Sequence, residues 1–227
     1  MVAGKCPPQE DELEKAAKRG FDKLELYLET KHLDSFNKTL DNVRESGIDV
    51  VSVHTPHVPP FEHDYIKKAD RLAKKLDAYL VFHTKYMHHT GIPKTEEIDI
   101  ESEYGYENNP GNSVRHLEAM ILERGHNLVL DVAHLFMAEE DYIEKTEYLL
   151  ENYPSQIQVI HLCDSSLNLD GLGFGKGEMD MRKISETVYN KFSGSIVLEL
   201  MPEEQEDALN KWKMYTQEKT VESVNPE

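Results

Sequence analysis

The chain has 227 residues and carries a formal net charge of −18, from 43 acidic against 25 basic side chains. That length suits a single domain with a sizeable core, and no run approaches the roughly 18 consecutive apolar residues of a membrane span. So acidic a surface repels phosphodiester backbones, which makes nucleic acid an unexpected partner.

A short strand fits 2–6, and with acidic residues following within a few positions no signal peptide is expected. Cys6 and Cys163 are too few for a disulfide framework and, with that N-terminus, point to a reducing cytoplasm. A strand at 22–28 precedes a helical stripe of Leu33, Phe36, Leu40 and Val43, which Gly47 ends. The strand at 49–54 is followed by Ile66, Ala69, Leu72 and Leu76 at helical spacing after Asp64, and then by a strand at 79–84. Only Lys85 to Glu96, broken by Gly91 and Pro93, leads to the next strand at 97–101. That is barely a crossover's length, so the fourth helix is expected to be vestigial. Val114, Leu117 and Ile121, between Asn112 as a cap and Gly125, make a helix before the strand at 127–131. A strand at 157–163, a helix of Met181, Ile184 and Val188 after Asp180, and a strand at 195–199 follow. Leu209, Trp212 and Tyr215 close the domain, 1–220, and 221–227 reads as a flexible tail.

Strands alternating with helices imply parallel pairing through right-handed crossovers. Eight such units predict an α/β fold, a single short (β/α)8 barrel. The rival, an open doubly wound sheet, usually carries a glycine-rich turn after its first strand, where this chain has Cys6-Pro7-Pro8.

Parallel barrels place their chemistry at the C-terminal ends of strands. The residue after the last apolar position is His54, His83, Glu101, Asp131, His161 or Glu199 in six of the eight runs. With 43 acidic residues and 11 histidines in the chain, one such residue carries little weight, but six at the same position are not a chance set. Mixed His, Asp and Glu without thiolate is the ligand style of Zn²⁺, Mn²⁺, Co²⁺ or Mg²⁺. Cys163, two residues beyond His161, is read as packing. The segment Gly173-Phe174-Gly175-Lys176-Gly177 lacks the first Gly and final Ser or Thr of a P-loop; it is either a turn before the helix capped by Asp180 or a grip in which Lys176 holds a substrate. Tyr86, Tyr104, Tyr106, His88 and His89, in expected rim loops, are further pocket candidates.

Val53-His54-Thr55-Pro56, Leu130-Asp131-Val132-Ala133-His134, His161-Leu162-Cys163-Asp164 and Leu198-Glu199, in that order, resemble the xylose-isomerase-like barrel superfamily of sugar isomerases, epimerases and endonuclease IV enzymes. The likeness spans nearly the whole chain. It implies a divalent metal held by Glu101, Asp131, His161 and Glu199, with Glu103 as the alternative to Glu101, and pocket histidines His54, His83 and His134. The loop 168–177 lacks the histidine that endonuclease IV enzymes use for a third zinc, leaving Asp170 as one available ligand. His54, His83 and Glu101 leave a second metal open.

The reaction this implies is isomerisation or epimerisation of a small sugar, keto-sugar, polyol derivative or sugar phosphate through an ene-diolate. Glu101 and Glu199 would remove and return the proton, and His54, His83, His134 and Lys176 would bind the substrate. The alternatives are an endonuclease IV-like phosphodiesterase and a barrel that binds metal but has lost catalysis. Assembly into a homo-oligomer is open.

Overall fold

The computed structural model describes residues 1–59, 63–83 and 92–222. Eight parallel strands close into a barrel: β1 (Val2–Cys6), β2 (Lys23–Tyr27), β3 (Asp49–His54), β4 (Tyr79–Phe82), β5 (Tyr104–Glu107), β6 (Leu128–Asp131), β7 (Ile157–Leu162) and, after a two-stranded hairpin of β8 (Asp164–Ser166) and β9 (Leu169–Leu172), β10 (Ser195–Leu198). Neighbours in sequence are neighbours in the ring, and β10 pairs with β1 to shut it. Among the described residues no helix is long and apolar enough to cross a membrane. Both cysteines are buried and unpaired.

The pleat sorts each strand into two sets. One set, including Leu24, Leu26, Leu80, Phe82, Ile160 and Leu162, points outward and is buried under the helices. The amphipathic stripes read from the sequence supply the other side of that contact: Leu40 and Val43, Ile66, Ala69 and Leu72, and Ile184 and Val188 are all buried in the same core. The second set points inward. Its lower layer is a separate apolar cluster of Ala3, Tyr79, Val81, Val129, Val159 and Val197. Two residues further along the same faces stand Lys5, His83, Asp131, His161 and Glu199. A single alternation therefore packs the barrel floor and then delivers the charged layer above it.

Helix ends follow ordinary capping chemistry. Asp131 and Asp180 accept the N–H of His134 and Lys183, and Ser113, not Asn112, caps the helix Val114–Met120. Gly47 ends the helix Phe36–Ser46 with φ of 68°. The stripe from Leu33 to Val43 is two helices, Thr30–Asp34 and Phe36–Ser46, broken at Ser35. Among its described residues the fourth crossover carries one helix, the five-residue Ile92–Glu96. The last helix runs Gln205–Glu222, so from 223 onward the expected tail lies outside the described residues.

The expected strand at 97–101 is not formed. Asp70, on the helix His63–Leu76, accepts the backbone N–H of Glu101 at 3.1 Å and of Ser102 at 2.9 Å, holding this segment as a loop below the barrel. The fifth strand is Tyr104–Glu107 instead. Gly105 is its inward residue, because a Cβ there would lie 2.5 Å from the Tyr79 hydroxyl and 3.2 Å from the Asn127 carbonyl oxygen. Tyr104 and Tyr106 are thus strand residues and not rim-loop groups; Tyr86, His88 and His89 lie outside the described residues.

Candidate metal centre

The C-terminal mouth of the barrel opens into a cavity of about 670 Å³. At its floor Glu107 from β5, Asp131 from β6, His161 from β7 and Glu199 after β10 converge, each offering a ligand atom within 4.8 Å of the others. Glu107 and His161 are fully buried, as is Asp131. The structure thus brings together Asp131, His161 and Glu199 as the sequence suggested, with Glu107 in the fourth place. Glu101 and Glu103 precede β5 and stand at the opposite, N-terminal end of the barrel, both exposed. The correction has a simple cause: the strand begins later than its apolar pattern implied.

Beneath these four lies a supporting set. Glu25, on β2, accepts from Ser52 Oγ at 2.7 Å and faces Nε2 of His161 at 3.0 Å. Glu25 thus favours a proton on Nε2, while Nδ1 faces Glu107 Oε1 at 2.7 Å and Glu199 Oε2 at 2.5 Å. Lys5, on β1, bridges Glu25 and Glu199 at 2.9 and 2.5 Å. Burial alone would lower the affinity of His161 for a proton, but Glu199, Glu25 and Glu107 outweigh it and hold the imidazole pKa well above its usual value. Burial would likewise raise Glu107, yet His161 and His54 keep its carboxyl well below the usual range. Asp131 goes the other way: burial, opposed by His134 and reinforced by Glu199 and Glu107, pushes it up to about 6.

A second group sits on the adjoining wall. His54, His57 and His83 also present ligand atoms within 4.8 Å of one another. His54 Nε2 lies 3.3 Å from Glu107 Oε2, which links the two groups. Burial drives His83 down to about 3 against the pull of Glu107, so its ring is neutral and able to ligate at physiological pH.

His134 lines the cavity, but both its ring nitrogens already face acceptors: Nδ1 the Asn108 carbonyl at 2.7 Å, Nε2 the Asp170 carboxylate at 2.9 Å. Burial opposes its charge, but Asp131 and Asp170 prevail and raise it to about 10. A histidine pKa raised on folding adds stability that is complete below the unfolded value of about 6.5 and disappears as pH climbs through about 10. Metal-stripped protein should therefore lose thermal stability between these limits, and His134→Gln should flatten that decline. Parallel slopes in calorimetry for the two proteins would show that His134 is not the group responsible.

Lys176 lies outside the cavity lining and pairs with Glu204 at 2.6 Å. The glycine-rich loop around it is organised by the buried carboxylate of Asp164, which accepts backbone N–H groups from Ser165, Gly175, Gly177 and Met179 at 2.8 to 3.2 Å. Its amides are turned inward, and the expectation of Lys176 as a substrate grip is replaced by a surface ion pair. Sequence reading also missed Lys5, Glu25 and His57. Lys5 and Glu25 sit inside apolar strand runs, where the only signal was the charge itself at an inward position; His57 follows a strand end by three residues.

The donor set fits a divalent ion. Three carboxylates and one imidazole are the ligands such ions take, and 4.8 Å is little wider than the roughly 4.4 Å between opposite ligands of an ion at about 2.2 Å. Glu199 Oε2 is buried and makes no hydrogen bond, though it lies 2.5 Å from His161 Nδ1. An orphaned carboxylate oxygen crowded against a ring nitrogen is what a shared cation would satisfy.

The profile of the xylose isomerase-like TIM barrel family matches residues 28–215. No curated protein matches the chain. Among solved structures, a D-tagatose 3-epimerase-like protein superposes with a TM-score of 0.75 at 18% identity, covering 97% of this chain and 100% of that one. The D-allulose 3-epimerase from Methylomonas sp. in complex with D-allulose gives 0.62 at 13% identity, over 98% and 96%. A xylose isomerase domain protein from Alicyclobacillus acidocaldarius gives 0.64 at 14% identity, over 95% and 98%. At such identities the likeness establishes the shared barrel.

Proposed function

The chain belongs to the xylose isomerase-like TIM barrel family, and from that premise we propose that it is a divalent-metal-dependent epimerase or isomerase of a small sugar. The observation that carries this reading is the convergence of Glu107, Asp131, His161 and Glu199 at the floor of an open polar cavity. Glu107, Asp131, His161 and Glu199 would hold a divalent ion, which would supply polarisation of a substrate carbonyl. Glu107 and Glu199 come from β5 and β10, with β6 and β7 between them, so they approach a substrate from different sides. One removes the proton beside the carbonyl and the other returns it on the opposite face. His54 and His83 line the wall, and His134, fixed by Asn108 and Asp170, borders the same cavity.

Two observations favour an unphosphorylated sugar. The amides of the glycine-rich loop are engaged by Asp164, and Lys176 is engaged by Glu204, so neither offers a phosphate cradle. The known sugar complex of the Methylomonas epimerase, with free D-allulose, agrees with this class of ligand. A divalent ion with no fixed preference among Zn²⁺, Mn²⁺, Co²⁺ and Mg²⁺ matches the oxygen-rich donor set.

The test is proton NMR in D₂O, screening keto- and aldo-sugars with and without phosphate after stripping the protein and reloading it with each ion. Metal-dependent loss of a C–H signal beside the carbonyl of an unphosphorylated sugar is the expected result. No exchange with any sugar in fully metallated protein would leave a barrel that only binds metal. The imidazole group of His54, His57 and His83 supports a second reading, a two-ion phosphodiesterase. Two bound ions per chain together with incision of an abasic duplex would establish that reading over the first.

A further inference from the structure

Lys5 is the inward member of the charged layer that no ligand role accounts for. Its side chain is 9% exposed and its ammonium lies 2.9 Å from Glu25 Oε1 and 2.5 Å from Glu199 Oε1. The backbone fixes this placement, because β1 pairs in register with β2 at Lys5 and Glu25, and with β10 up to Gly4 and Leu198, one residue short of Glu199. Glu25 and Glu199 in turn both reach His161, from opposite ring nitrogens, so Lys5, Glu25, His161 and Glu199 close a ring of contacts. Within that ring Glu199 turns Oε1 to Lys5 and Oε2 to His161 Nδ1.

We propose that Lys5 is a positioning residue that restricts Glu199 to one-oxygen ligation, and so makes the centre discriminate in favour of small divalent ions such as Mn²⁺ against Ca²⁺. The inference rests on the metal-centre reading above. An ammonium held on the second oxygen competes with a cation for it and disfavours chelation. Ca²⁺ takes six to eight oxygens, often from chelating carboxylates at about 2.3–2.6 Å, whereas the smaller ions take no more than about six, at about 2.0–2.2 Å, and lean less on chelation. The fixed positive charge beside a ligand also repels any cation in the centre, so it weakens binding overall while sharpening the choice.

The experiment is calorimetric titration of metal-stripped, full-length protein with Mn²⁺ and with Ca²⁺, in the wild type and in Lys5→Met, whose unbranched stem fills similar space. Mn²⁺ should bind tighter in the variant by a factor on the order of ten, and Ca²⁺ by more, because one positive charge is gone and Oε1 is released. Since Lys5→Met leaves Glu25 buried without its partner, the same comparison is made between Glu25→Gln and Glu25→Gln with Lys5→Met, where the amide oxygen still accepts from His161. The same two shifts are expected there. An unchanged preference between the ions in both comparisons, or weaker binding of both ions, overturns the role of Lys5. A wild-type protein that binds neither ion overturns the metal-centre reading and this inference together, whereas a wild type that binds with unaltered variants overturns this inference alone.

Discussion

Replacing Glu107 by alanine should lower the affinity for a divalent ion by a factor on the order of 100 or more, while Glu101→Ala leaves it within about twofold. Glu107 is one of the four converging side chains, and its two oxygens also meet His161 Nδ1 at 2.7 Å and His54 Nε2 at 3.3 Å. Its removal therefore deletes a ligand and loosens a second. Glu101 stands at the far end of the barrel, fixed by its own backbone N–H to Asp70, with its side chain exposed. Mn²⁺ titration of both variants, with circular dichroism to confirm the fold, decides the matter. A Glu101→Ala protein that no longer binds the ion would return the ligand to the position the sequence pattern first suggested.

The second large effect concerns the proposed proton carrier. Glu199→Gln should reduce solvent hydrogen exchange at the substrate carbon by a factor on the order of 10² or more, the usual contribution of a positioned acid or base. The amide keeps an oxygen near the centre, so the ion should stay bound with an affinity within about tenfold of the wild type. The distinction between exchange and binding is what identifies a base, since a residue needed only to hold the metal would lose both together. The proton NMR assay in D₂O reads the first and metal titration the second. Exchange that persists undiminished would leave the reaction class in place and remove Glu199 from the role of base.

Seven of the eight barrel strands stand within a residue or two of where apolar alternation places them, because those strands bury outward Leu, Ile or Val against the helices. The fifth was read wrongly for a physical reason. Glu97-Ile98-Asp99-Ile100-Glu101 has perfect alternation, and Ile98 is indeed buried, but in a loop held by Asp70. The true strand, Tyr104-Gly105-Tyr106-Glu107, replaces an inward apolar side chain with glycine because Tyr79 of the neighbouring strand already fills the space. Its pattern of tyrosine alternating with glycine and glutamate is a period of two, and the cramped crossover from 85 to 96 was the sign that the strand had been started too early. The candidate ligands Asp131, His161 and Glu199 were legible because each directly follows apolar strand residues, Leu128–Leu130, Val159–Ile160 and Ile196–Leu198. Lys5 and Glu25 were not legible, since the side of the barrel wall that a charged residue occupies is set by register, which one strand alone does not reveal.

The two layers inside the barrel bear on how such a chain changes over a lineage. Ala3, Val81, Val129, Val159 and Val197 fill the floor, and the side chains that face a ligand stand one step higher on the same strands. The floor is thus packed by apolar positions that do not line the cavity above them. Inheritance can retain the shape while rewriting what the mouth receives. The chain shares this barrel with solved structures along nearly its whole length at 13–18% identity.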